Sequence, residues 1–187
     1  MKPTLLAGFS VAALAAATLS APANAASPCA AAVHSMLNYT SYHGVMNVTV
    51  DGKPIVTTMD VVKPDRVHVT MMGTEMVVIG KSGWQRTGSG AWSAAPGMDG
   101  ASLISPPAGL GTEYIEKSCI DAGMGMWQGT PAHRYKATYL NVKKAVVTST
   151  LYVDGSGMLR GVQGGEPKSP VTMTLTQINS ASVTAPK

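Results

Sequence analysis

The chain has 187 residues, of which 45% are hydrophobic and 13% charged, and carries a formal net charge of +4. Arg134, Lys136, Lys143 and Lys144 form its main basic cluster and lack the interleaved aromatics that stack bases, so nucleic acid is not expected as a partner. They read as cations on a solvated sheet edge, with a weak attraction to anionic lipid head groups as the remaining electrostatic option.

Residues 1–25 read as an export signal. Lys2 supplies a positive start, Leu5 to Leu19 is apolar and uncharged, and Ala23-Asn24-Ala25 is a small-x-small cleavage site. The apolar run is short for a membrane span, which needs roughly 20 residues. Cleavage after Ala25 leaves 162 residues, enough for one domain with a real core. The mature protein is expected to be exported to the periplasm. Two cysteines, Cys29 and Cys119, are expected to pair in that oxidising compartment. Pro28 and Ala26 occupy positions where a lipoprotein signal carries a small residue and leucine, which argues against a lipid on Cys29.

Pro28 to Asn38 is the clearest helical signal. Ser27 can cap it, Pro28 suits the first turn, and Ala32, Val33, Met36 and Leu37 make one apolar face. Period-two alternation then predicts strands at roughly 39–50, 54–62, 66–72, 75–79 and 83–87, with a short one around Trp92. Asp51-Gly52 is a hairpin signal between the first two. The stretch 94–112, rich in glycine and proline, reads as a long irregular connection, and 113–121 fits helix or strand equally. Further strands are expected at 132–142, 145–153, 158–162 and from Val171, with Val146, Thr148, Thr150 and Tyr152 sharing one face and a loop over 164–170. Glycine and proline bound nearly every run and no composition break marks a linker. The expected fold is therefore mainly β, a single antiparallel sheet with one greasy face and a short N-terminal helix.

No catalytic set stands out, and neither enzyme activity nor a cofactor is expected. Gly80-Lys81-Ser82 lacks the upstream glycine and the following helix of a phosphate-binding loop. The histidines His34, His43, His68 and His133 show no metal-ligand spacing. Methionine is the stronger signal. Met46, Met59, Met71 and Met173 fall on the apolar phase of their strands, where they could fill a core or line a pocket for varied greasy ligands. Thioethers also favour Cu(I), which keeps a copper-binding reading open, with Met71-Met72, Met76 and Met124-Gly125-Met126 standing out.

Three segments resemble the outer-membrane lipoprotein carriers and their relatives, the LolA/LolB-like superfamily that includes mycobacterial lipid-binding lipoproteins. They are Met59-Asp60-Val61-Val62-Lys63-Pro64-Asp65-Arg66-Val67-His68-Val69, then Met76-Val77-Val78-Ile79-Gly80-Lys81-Ser82-Gly83-Trp84, and Tyr152-Val153-Asp154-Gly155-Ser156-Gly157-Met158-Leu159-Arg160. The resemblance implies an unclosed, curved half-barrel whose concave face takes acyl chains or a hydrophobic partner beneath a lid. It also implies that Lys63 stands where the carriers have a lid-locking arginine, although lysine lacks the planar fork of donors.

Together these readings give a non-catalytic carrier of a lipid, a lipoprotein acyl chain or another hydrophobic ligand, with transient contact to a membrane or a membrane-bound partner. The expected lining is Met46, Val48, Met59, Val61, Val69, Met71, Met76, Val78, Met173 and Leu175. Leu103, Ile104 and Leu110 are the expected lid contacts, Lys63 the lid-lock candidate, and Cys29–Cys119 the disulfide. The alternatives are an interaction module whose sheet is filled by its own side chains, and a methionine-rich Cu(I)-binding protein.

Overall fold

The computed structural model describes residues 26–104, 115–140, 144–166 and 169–186. The expected signal peptide and Leu110 lie outside them. Helix α1 (Pro28–Ser35) starts as the sequence predicts, with the Ala30 N–H donating to Ser27 Oγ at 3.0 Å. It tightens into a 3₁₀ turn at Met36–Asn38. Cys29, Ala32, Val33 and Met36 are buried against the sheet. Leu37, expected on the same face, is 41% exposed, because the 3₁₀ turn rotates it off the apolar stripe.

The strands are β1 (Ser41–Val50), β2 (Lys53–Val62), β3 (Arg66–Met71), β4 (Thr74–Ile79), β5 (Ser82–Thr87), β6 (Ser93–Ala94), β7 (Ile115–Trp127), β8 (Thr130–Leu140), β9 (Val146–Val153), β10 (Leu159–Glu166) and β11 (Ser169–Thr176). A single turn of helix, α2 (Gly100–Leu103), lies between β6 and β7. All eleven strands form one antiparallel sheet in the order β6-β5-β4-β3-β2-β1-β11-β10-β9-β8-β7. The sheet consists of two meanders, β1–β6 and β7–β11, fused where β1 pairs with β11, and it is not closed into a barrel. Asp51 and Gly52, with φ of 50° and 74°, make the tight turn their sequence announces.

Two expectations change. The undecided stretch 113–121 is strand from Ile115 onward, and it continues to Trp127 with register shifts between Glu116 and Ser118 and between Asp121 and Met124. The expected loop at 164–170 is shorter, since Gly164 and Gly165 pair with Val171 and Pro170. Gly164 is needed there because a Cβ would stand 2.3 Å from Ser149 Oγ on the neighbouring strand.

The core lies between α1 and the strands it crosses, β7 to β10. Leu151 and Leu159 are fully buried, joined by Tyr139, Val153, Val162, Met173 and Leu175. Each such aliphatic side chain contributes on the order of 1.5–3 kcal/mol by leaving water. In β9 the core-facing residues are Ser149, Leu151 and Val153, so the face shared by Val146, Thr148 and Thr150 is the outer one. Tyr39 is buried with its hydroxyl donating to the Leu159 carbonyl at 2.9 Å, and burial pushes its phenol above the ordinary tyrosine range. The turn after β9 is built on Asp154. Desolvation opposes its charge, but hydrogen bonds from Ser156, Arg160 and the Met158 N–H outweigh that and hold the carboxyl at about 2.

Candidate ligand-binding hollow

Cross-strand partners in an antiparallel sheet point to the same face, so the register decides which side chains meet. Gly44, Met46 and Val48 of β1 face Met59, Thr57 and Ile55 of β2 on one side, and Leu175, Met173 and Val171 of β11 on the other. Met59, Val61 and Thr57 in turn face Val69, Val67 and Met71 of β3, and Val69 and Val67 face Met76 and Val78 of β4. All ten side chains of the expected lining therefore share one face, the face that carries α1.

Their burial is graded. Val61, Val78, Met173 and Leu175 are sealed, at 0–5% exposure, and form the floor where the sheet meets its helices. Met46, Val48, Met59, Val69 and Met76 are half-buried, and Met71 is 48% exposed at the end of β3. The gradient follows the covering elements. Helix α1 crosses the β7–β10 half, and α2 touches β3 near Asp65, against whose backbone Gly100 packs too closely for any side chain. The centre of the β1–β4 half is left only partly covered.

Five residues that the expected lining omitted belong to the same surface: Gly44, Ile55, Thr57, Val67 and Val171. Gly44 makes room for Met59, whose Cγ would lie 3.0 Å from a Cβ there. Ile55 and Thr57 occupy the same strand phase as Met59 and Val61, and Thr57 is buried at 6%. The alternation of β1 and β2 contained that signal, but polarity masked it in Thr57 and size in Gly44.

Two attachments hold α1 over the sheet. The Cys29–Cys119 disulfide is formed, with a Cα–Cα distance of 5.8 Å, and ties the first turn of α1 to β7. Ser27 adds a hydrogen bond to the Glu116 carboxylate nearby. At the other end, Lys63 Nζ donates to the Leu37 carbonyl at 2.7 Å and the Met36 carbonyl at 3.2 Å. These carbonyls close a helical segment, where Met36 also accepts the Tyr39 N–H at 3.3 Å and a cation meets the favourable end of the dipole. Burial lowers the Lys63 ammonium below its ordinary range. Lys63, Met36, Leu37, Tyr42 and Ile104 line a small cavity of about 80 Å³, so the lid-lock candidate and one expected lid residue meet at the same point. Leu103, by contrast, is 42% exposed.

The outer face carries a different chemistry. His43, Asp60 and His68 sit directly opposite one another on β1, β2 and β3. Asp60 approaches His43 at 2.7 Å and His68 at 3.5 Å, His68 reaches Glu75 at 3.3 Å, and Arg86 pairs with Glu75 and stacks 4.7 Å from the Trp92 ring centre. The hydrogen bond from Arg86 holds the Glu75 carboxyl below its ordinary range. The C-terminal residues Ser182 to Pro186 cross this row, with Val183 buried at 6%. His43 and His68, which look scattered in sequence, are thus two rungs of one ladder that alternates imidazole with carboxylate, a pairing visible only in the register.

Neither a protein-family model nor any curated protein matches the sequence. Solved structures do share the fold. The lipoprotein LppX of Mycobacterium tuberculosis superposes with a TM-score of 0.57 at 16% identity, covering 81% of this chain and 93% of its own. LprF of Mycobacterium bovis gives 0.60 at 15% identity, covering 86% and 97%. The chain shares the fold of LppX and LprF.

Proposed function

We propose that this chain, built on the LolA/LolB-like fold, binds a hydrophobic ligand of the acyl-chain class on the α1-bearing face of its sheet and carries it in the cell envelope. The observation that carries the reading is the graded apolar surface. Met46, Val48, Met59, Val69 and Met76 share one face over four adjacent strands, and they remain half-buried while Val61, Val78, Met173 and Leu175 of that face are sealed. A solid core would have closed over them. Contact with an alkyl chain removes apolar area from water at roughly 25 cal/mol per Å², and methionines adapt to ligands of varied shape. Few polar groups point into this surface, so selectivity would be low and set by length and bulk. The likeness to a mycobacterial lipoprotein supports the fold on which such a surface is built and leaves the ligand to be identified.

Filling the hollow tests the proposal. In Met76→Trp the extra ring occupies the space between β3 and β4. The variant should keep its far-ultraviolet circular dichroism and lose most of its binding of a fluorescent fatty acid. A folded Met76→Trp protein that binds as well as the wild type would place the ligand elsewhere.

A further inference from the structure

The β7–β8 hairpin carries a group that hydrophobic carriage does not use. Met124 and Met126 are 62% and 60% exposed, the two thioethers of the Met-x-Met sequence, so they add little to any core. Met124 lies directly opposite His133 of β8, and Met126 opposite Pro131. Direct antiparallel partners share a face with Cβ atoms roughly 4.5–5.5 Å apart, and residues two apart on a strand lie on that same face. Two thioethers and one imidazole therefore project from a single patch.

The imidazole is held by a carboxylate. His133 Nε2 lies 2.7 Å from Asp121 Oδ1, and its ring stacks on Tyr135 at 4.6 Å. With the Nε2 proton donated to Asp121, Nδ1 carries the lone pair. A carboxylate on the second ring nitrogen is the usual device for orienting a metal-ligating histidine and raising its basicity. The register shift between Asp121 and Met124 makes this contact, because the Ala122-Gly123 insertion brings Asp121 back beside His133, and Gly123 N–H also donates to Asp121 at 2.7 Å. The adjacent Arg134 does not enter the patch. Arg134 projects from the opposite face, packs against Gly125 and donates to the Ala122 carbonyl at 2.8 Å.

We propose that Met124, Met126 and His133 form a Cu(I) site on the β7–β8 hairpin, with Asp121 as the positioning residue for His133. Soft thioethers select monovalent copper over the divalent metals that prefer oxygen and nitrogen, and an imidazole completes a three-coordinate set. The site is separate from the apolar hollow and independent of the carrier reading.

The test is an anaerobic Cu(I) titration of the full chain against the chelator bathocuproine disulfonate. The wild type should retain one equivalent of copper against the chelator. The double variant Met124→Leu/Met126→Leu, which keeps apolar volume and the fold, should lose it, and Asp121→Asn should weaken it by about 10- to 100-fold. Circular dichroism and thermal unfolding check that both variants fold. A second readout uses Ag(I) as a redox-inert stand-in, added to protein carrying ¹³C-labelled methionine methyl groups. The Met124 and Met126 signals should shift with the first equivalent, while those of core methionines such as Met173 stay in place. Surrender of all copper by the wild type, retention by the folded double variant, or first-equivalent shifts at other methionines would each overturn the site.

Discussion

Lys63 shows how one residue can be placed by sequence and explained only by structure. The resemblance puts a basic side chain before Pro64, and the observed partners are two main-chain carbonyls at the end of the helical segment. A planar guanidinium fork is not required for that task, because an ammonium offers three donors that can turn toward separate acceptors. Hydrogen bonds to a charged donor contribute about 1.5–3 kcal/mol, reduced here by the burial that lowers the Lys63 ammonium. Lys63→Met should therefore lower the melting temperature by several degrees and speed hydrogen exchange in α1 more than in β8 or β9. Equal exchange in α1 with and without the lysine would mean that these carbonyls are satisfied by water and that the contact locks nothing.

At the scale of elements, the strands were legible because each alternating run is bounded by a turn residue. Asp51-Gly52, Gly73, Gly80 and Gly157 all take positive φ where the sequence breaks. β7 was less legible. Its alternation is interrupted twice by register shifts, so neither a period of two nor one of 3.6 emerges from Glu116 to Met124. The outer ladder of His43, Asp60, His68 and Glu75 was invisible for a related reason, since its members are separated in sequence and joined only across strands. The disulfide is the strongest constraint between elements. It closes a loop with a sequence separation of 90, which the chain-entropy model values at about 4.6 kcal/mol. Reduction should lower the melting temperature by roughly 10 °C and release α1 first, which mass-resolved hydrogen exchange would register as loss of protection over 28–38. Uniform loss of protection across β8 to β11 instead would show that α1 is part of the cooperative core and not a tethered cover.

At the scale of the molecule, the two meanders have different fates. The β7–β11 half is filled by α1, whereas the β1–β4 half keeps a partly covered apolar surface. Sequence alternation identified the face but could not divide it into floor and hollow, because Met173 and Met71 have the same strand phase and the same chemistry. Only the placement of the helices separates them, at 5% and 48% exposure. That difference can be measured. An aspartate at Met173 would be a buried, unpartnered charge costing several kcal/mol and should abolish folding. Met71→Asp reaches water, so it should fold with a melting temperature near that of the wild type and lose affinity for a fluorescent fatty acid. Folding of both variants, or of neither, would remove the distinction between floor and hollow.

The central claim is that the native chain holds a hydrophobic ligand. Native mass spectrometry of protein isolated from the envelope of the cells that make it, under conditions that preserve noncovalent complexes, tests this most directly. The account predicts an added mass that is released by organic extraction and identified as an acyl lipid, and that is diminished in Met71→Asp and Met76→Trp. Bare polypeptide with no added mass, in wild type and variants alike, together with no uptake of fatty acid by the extracted wild type, would contradict it.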